Sequence, residues 1–344
     1  MSTIKVNSVD PRNTGETVSV NGIAMPNAGP LANRNKIING DMSIAQRGAP
    51  TGTDTYPADR FRQASNTQGA YTFARETTDV PTGFNYSLKA TVTTADGTIG
   101  PSNGWVLLQK IEGYNVSELM YGTPNAKPIT ITFWVKSSVA GVYCATLRNG
   151  ADNRCFVSEY TISSADTWEY KTITVAGDTS GTWETTNGSG LGLVFCLTGG
   201  SSKQRAAGSW GTFADCSSNQ TQLLQTLNAN WLVTGVQLEA GTNATPFEHR
   251  SYGEELARCQ RYYEVIRGGG FMYWGSGNYC GSNNFAVEKR ATPATVSIQT
   301  IIYEFPTSST WSAAGLTKQG FGVNRSGATT YVAVDATWEA TAEL

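Results

Sequence analysis

Charged side chains are scarce in this sequence. Asp, Glu, Lys and Arg make up 15% of its 344 residues, against roughly 25% in an average soluble domain. With 25 Lys and Arg against 27 Asp and Glu, the net charge of −2 sets up no field that would gather a phosphate backbone. Nucleic acid is therefore not an expected partner. The single histidine, His249, lies in PFEHRS, and a histidine-based triad or metal site would have to be built there. Its neighbours Glu248 and Arg250 point instead to a polar junction. Six cysteines (Cys144, Cys155, Cys196, Cys216, Cys259 and Cys280) form no CxxC pair and match no zinc spacing. Neither a Walker loop nor a strand-GxGxxG-helix unit occurs, so no metal and no cofactor is expected. No run approaches the roughly 20 apolar residues of a membrane span. The opening MSTIKVNSVD lacks the apolar stretch of a signal peptide, which makes synthesis in a reducing cytosol and unbonded thiols the expectation. Cys144 and Cys155 are the one doubtful pair, because a two-residue hairpin at Asn149-Gly150 would set them opposite each other.

What the sequence does have is short alternating runs separated by Gly, Asn, Asp and Pro. In ITITFWVK, Ile129, Ile131, Phe133 and Val135 share one face; WEYKTITV follows in the same style,. LGLVFCL (191–197) is apolar on both faces and suits a central, buried strand. WLVTGVQLE (231–239) sets Leu232, Val236 and Leu238 on one side. These features predict an all-β chain: an antiparallel jelly-roll or sandwich domain over 35–250, one short linking helix, and a smaller C-terminal β domain over 267–344. The helix is expected over 251–266, where Ser251 and Glu254 form a capping-box pattern and Tyr252, Leu256, Cys259 and Tyr263 recur as one stripe,. RGGG after it reads as a boundary, and TVSIQTIIYEF then places Val296, Ile298 and Ile302 on one face, as TTYVAVDATWEA does Val332, Val334, Ala336 and Trp338. Residues 1–34 hold too few apolar side chains for a core of their own, and an attachment or oligomerisation role is expected for them.

Candidate recognition residues are the aromatics in polar, Gly-rich loops: Tyr273, Trp274 and Tyr279 first, then Trp183 and Trp210. An aromatic face suits the C–H face of a sugar ring, and neighbouring Asn, Gln, Ser and Asp can orient hydroxyls. A glycosidase would need two carboxylates about 5 to 10 Å apart across a groove, and nothing in the sequence singles out such a pair. No catalytic residue is assigned.

The stretches MSTIKVN, NKIINGDMSIAQRG, ITFWVKSS, DTWEYKTITVAGDTSGTW, VTGVQLEAGTNATPFEHRSYGEELARCQRYYE, KRATPATVSI and the final AEL together resemble a widespread group of bacteriophage tail-fibre and tail virion proteins. The resemblance touches nearly the whole chain, and the segment from VTGVQLE to QRYYE is its most specific part. It implies a jelly roll similar to carbohydrate-binding modules, a homotrimeric virion appendage, virion partners reached through the N-terminal segment, and contact with host surface glycan. Where the group commonly reads DRW, this chain has Asp59, Arg60 and Phe61, so no role passes to a tryptophan there, and no ligand residues transfer by position. Three functions follow as expectations: a non-enzymatic, glycan-binding tail-fibre subunit; a non-adhesive head fibre or tail adaptor; and a polysaccharide depolymerase.

Overall fold

The computed structural model describes residues 18–20, 23–25, 32–48, 52, 54–273, 279–305, 310–326 and 332–344. In chain order the first strands are β1 (Ser19–Val20), β2 (Ile23–Ala24), β3 (Asp54–Ala58), β4 (Phe61–Ser65), β5 (Ala70–Glu76), β6 (Ser87–Thr94) and β7 (Gly104–Glu112). Next come β8 (Ile129–Ser137), β9 (Gly141–Asn149), β10 (Cys155–Ile162), β11 (Glu169–Val175), β12 (Ser189–Gly199), β13 (Trp210–Gly211) and β14 (Asn230–Ala240). Helix α1 (Tyr252–Gln260) precedes β15 (Tyr263–Tyr273), β16 (Tyr279–Asn284), β17 (Thr295–Phe305), β18 (Thr310–Ala314), β19 (Gly320–Ser326) and β20 (Val332–Thr341).

Two antiparallel sheets form a sandwich, one of seven strands in the order β13-β10-β9-β12-β7-β4-β3 and one of five in the order β11-β8-β14-β6-β5. The chain crosses repeatedly from one sheet to the other, as in a jelly roll. Alternation in the sequence explains the core between them. Ile129, Ile131, Phe133 and Val135 of β8 are fully buried against Tyr143, Leu147, Leu193 and Phe195 of the opposite sheet. β12 holds the central position of the seven, and its second apolar face, Val194 and Cys196, joins a separate cluster on the outer side of that sheet.

Several expectations are corrected. In β14 the pairing with β8 slips between Thr234 and Gln237, and Gly235 there has φ +61°. This bulge reverses the alternation, so Trp231 and Val233, not Leu232, share the core face with Val236 and Leu238. The helix is shorter than the expected 251–266: it ends at Gln260 and Tyr263 already begins β15, although Ser251 does cap it by accepting from the Glu254 N–H at 3.3 Å. Tyr252 is 65% exposed, so of the expected stripe Leu256 is half-buried and only Cys259 and Tyr263 are buried. RGGG lies within β15, which runs through it with a bulge between Gly269 and Phe271. β17 carries two more bulges, which leave Ile302 49% exposed rather than packed with Val296 and Ile298. Cys144 faces Glu159 and Cys155 faces Arg148 across β9 and β10, so the doubtful pair is not opposed. Both thiols are unbonded, as are Cys196, Cys216 and Cys259.

The segments that carry the sequence resemblance meet in a buried polar lattice. Asn35 Oδ1 accepts from the N–H groups of Ile37 and Leu238, both at 3.0 Å. Glu239, 1% exposed, accepts from the Thr245 N–H at 2.9 Å and hydroxyl at 2.7 Å. Arg250 reaches the carbonyls of Asn35 and Ile37 and the carboxylate of Glu255. Arg60 pairs with Glu343, and Glu112 accepts from Arg261 at 2.7 Å and from the Tyr262 hydroxyl at 2.9 Å. These contacts tie the sandwich to the region after the helix. That region forms two three-stranded sheets, β15-β20-β17 and β16-β19-β18, around Phe285, Trp311, Phe321, Val334, Ala336 and Trp338.

Candidate functional site

The outer face of the seven-stranded sheet is only partly covered. The excursion between β12 and β14 folds back over one part of it and buries Cys144, Cys155, Cys196 and Cys216 together. Beside this cover lies an open cleft of about 290 Å³. Its floor is apolar and low: Ala64 on β4, Val106 and Leu108 on β7, and Gly192 and Val194 on β12. Strand alternation puts these side chains outward while Leu107, Leu193 and Phe195 face the core,. The covering excursion supplies one wall, with Lys203, Phe213 and Asp215; Arg62, Lys110, Arg148 and Asp152 supply further charge. Arg148 pairs with Asp215 and lies 3.7 Å from Asp152, and its guanidinium carbon is 4.6 Å from the Phe213 ring centre. Burial pushes the Arg148 pKa below its ordinary value, with the charge of Asp152 opposing.

A second cavity, of about 690 Å³, adjoins the first; Asn149 and Ser189 line both. Trp183 walls it, with Thr182, Glu184 and Asn153 around the ring. The turn between β9 and β10 contributes to the lining of both cavities and is stiffly built. Asn149 Oδ1 accepts from the N–H groups of Asn153 and Arg154, both at 3.1 Å, and its amide donates to Asn153 Oδ1 at 2.7 Å. Gly150 is required by close approach, since a Cβ there would lie 1.8 Å from the Ser189 carbonyl oxygen. From this turn Arg154 pairs with Asp178, Nη2 to Oδ1 at 2.7 Å, and so fixes the loop that presents Trp183.

Trp183 and Trp210, expected as separate loop contacts, are brought together: their rings are 5.4 Å apart and edge-on, and Tyr121 packs against both. Each indole N–H is already used, by the Ser180 carbonyl at 3.1 Å and the Ala176 carbonyl at 2.8 Å. Trp210 also packs on Phe156; both indoles are half-buried, and it is Trp183 that lines the cavity. Trp274 lies outside the described residues, as do the side chains of Tyr273 and Tyr279 at the ends of β15 and β16. The cleft residues were not singled out from the sequence. The one signal in β12 was its second apolar face, where the outward Gly192 stands beside Val194, a side chain the excursion helps to bury.

No protein-family model matches the chain, and no curated protein matches it. Among solved structures it is similar to the enzymatically active domain of tailspike protein 4 of bacteriophage CBA120, at 11% identity over 60% of this chain, with TM-score 0.32. It spans about a fifth of that protein, 21% of its length. It is also similar to a family 11 carbohydrate-binding module of a cellulosomal cellulase of Clostridium thermocellum, at 14% identity over 58% of this chain and 99% of the module, with TM-score 0.30. A third is TmCBM61, solved in complex with β-1,4-galactotriose, at 11% identity over 60% of this chain and 99% of that one, with TM-score 0.29. Likenesses of this degree bear on neither the site nor the activity.

His249 does not supplement the site. It is exposed and packs beside Phe84 and Phe247, with ring centres 5.5 and 4.9 Å away. Among the described residues, no group of three or more His, Cys, Asp or Glu side chains is placed to hold a metal ion.

Proposed function

We propose that this chain is a non-catalytic, glycan-binding structural subunit of a bacteriophage particle, tail-fibre-like and homotrimeric, made in the host cytoplasm and carried on an external appendage. The observation that carries the binding reading is the pair of adjoining cavities on the outer sheet face. One offers a half-buried tryptophan wall, the other an apolar floor ringed by hydrogen-bonding side chains, and the shared residues Asn149 and Ser189 make them one elongated surface. A saccharide of a few residues suits that combination, stacking on Trp183 and exchanging water for polar contacts along the cleft. Since those hydrogen bonds are largely exchanged for bonds to water, a single site should bind in about the millimolar to micromolar range. Three copies on one appendage would raise the effective grip by about 10² to 10⁴. The virion assignment rests on the sequence resemblance, with residues 1–34 as the attachment segment to other virion proteins. Tyr273, Trp274 and Tyr279 are the second candidate surface.

The depolymerase reading finds two carboxylates in the cleft, Asp152 and Asp215. Arg148 pairs with Asp215 and reaches toward Asp152, filling the space between them where a glycosidic bond would have to lie. The experiment is a host-cell binding assay with purified protein, its Trp183→Ala and Trp274→Ala variants, and host polysaccharide as competitor. Competed binding that falls in Trp183→Ala supports the sheet-face site; loss in Trp274→Ala alone moves the site to the C-terminal loop. Absence of binding to any host envelope favours a non-adhesive structural role, and release of shortened saccharides favours the depolymerase.

A further inference from the structure

The cleft is not electrically neutral, and its charges can be paired off one by one. Arg62 is held by Asp54 through two contacts of 2.6 Å. Arg148 is held by Asp215, and Lys110 lies 3.9 Å from Asp152. Three cations thus meet three carboxylates. The fourth cation, Lys203, has no carboxylate within 4 Å among the described residues; its ammonium stands 5.0 Å from the Phe213 ring, on the wall above the apolar floor. Asp215 does not neutralise it, being committed to Arg148 on the neighbouring strand. Lys203 is a partly exposed residue that lines the cleft, so a bound ligand would take the place of some of the water that screens its ammonium. An uncharged ligand would displace water from that ammonium and return nothing of equal strength. A ligand bearing one negative charge would supply a charge-assisted hydrogen bond there.

Building on the glycan-binding reading, we infer that the cleft selects saccharides that carry a single negative charge per bound unit, as a uronate or similar sugar carboxylate or a phosphodiester does, with Lys203 as the residue that reads the charge. The same pairing argues against a dianionic group, which would leave one charge unmatched.

The test uses the full-length protein and immobilised capsular polysaccharides and lipopolysaccharide O-chains, each presented native, carboxyl-reduced and freed of phosphodiesters by mild hydrofluoric acid. At low salt the native acidic polymer should bind about five-fold or more tightly than its neutralised counterpart, a difference in keeping with one partly solvated charge pair. That preference should shrink toward unity in Lys203→Gln and persist in Lys203→Arg, with melting temperatures of both variants confirming their folds. Loss on carboxyl reduction identifies the charge as a carboxylate; loss only on hydrofluoric acid treatment identifies a phosphodiester. Equal binding of native and neutralised polymers overturns the charge inference and leaves saccharide binding standing. Failure to bind any polysaccharide in any form overturns both.

Discussion

Gly192 sits mid-strand on β12, facing outward, and a Cβ there would meet nothing nearer than 3.9 Å. The glycine is therefore not demanded by packing; it keeps the cleft floor low. Gly192→Leu should fill the cleft and weaken polysaccharide binding about ten-fold or more while leaving stability within about 1 kcal/mol, because a strand-interior glycine costs backbone entropy that the substitution recovers. Binding titrations and urea unfolding on the same preparation check both halves. Trp183 was legible as a ring in a polar loop, and so was Trp210. Their mutual packing was not, because 26 intervening residues and a sheet strand separate them in sequence and only the tertiary fold closes that distance. Lys203, Phe213 and Arg148 were invisible for the same reason: each is an ordinary residue until the excursion folds over the sheet.

At the scale of elements, strict alternation was readable and its interruptions were not. β8 follows the sequence pattern throughout, and β12 keeps it from Leu191 to Leu197 despite register shifts at both ends of its pairing with β7, whereas in β14 and β17 the bulges move side chains off the expected face. Gly235 marks the bulge in β14, and a Cβ on it would come 2.6 Å from the Phe84 ring. Gly235→Ala should cost about 2 kcal/mol or more, from the left-handed backbone together with that clash, read as a lowered urea midpoint at unchanged slope. Helix α1 was legible by its cap, yet it stops early because Arg261 and Tyr262 are drawn to Glu112, a long-range pull absent from helical periodicity. The hairpin between β9 and β10 takes a longer turn than the two-residue form because Asn149 closes its own bonds to Asn153 and Arg154. Its thiols consequently stay apart. Cys144, Cys155, Cys196, Cys216 and Cys259 are all buried, and burial also pushes the Cys144 thiol up to about 11; out of reach of the reagent, the five should resist iodoacetamide in the native protein and all be alkylated after unfolding without reductant. Mass spectrometry that finds a bonded pair among them in most molecules contradicts this.

For the molecule as a whole, buried tyrosines set a limit on alkaline stability. Tyr143 and Tyr262 are fully buried, and desolvation pushes each up to about 12. In the unfolded chain both ionise near 10, so above that pH the unfolded state binds fewer protons than the folded one. Stability is intact below about pH 10 and falls by about 1.4 kcal/mol per pH unit per tyrosine between 10 and 12. Urea midpoints measured across that range should be level first and then drop steeply; a midpoint that stays level to pH 12 would refute the assignment. Binding draws on a different property, the surface left open on the outer sheet face, and the central claim is that this surface holds host glycan. The most direct test is titration of host surface polysaccharide into the full-length protein while following Trp183 through the fluorescence difference between wild type and Trp183→Ala. Saturable, weak binding with a change in the Trp183 signal is expected, and its loss in Gly192→Leu. Saturable binding that leaves the Trp183 signal unchanged and survives Gly192→Leu would contradict it.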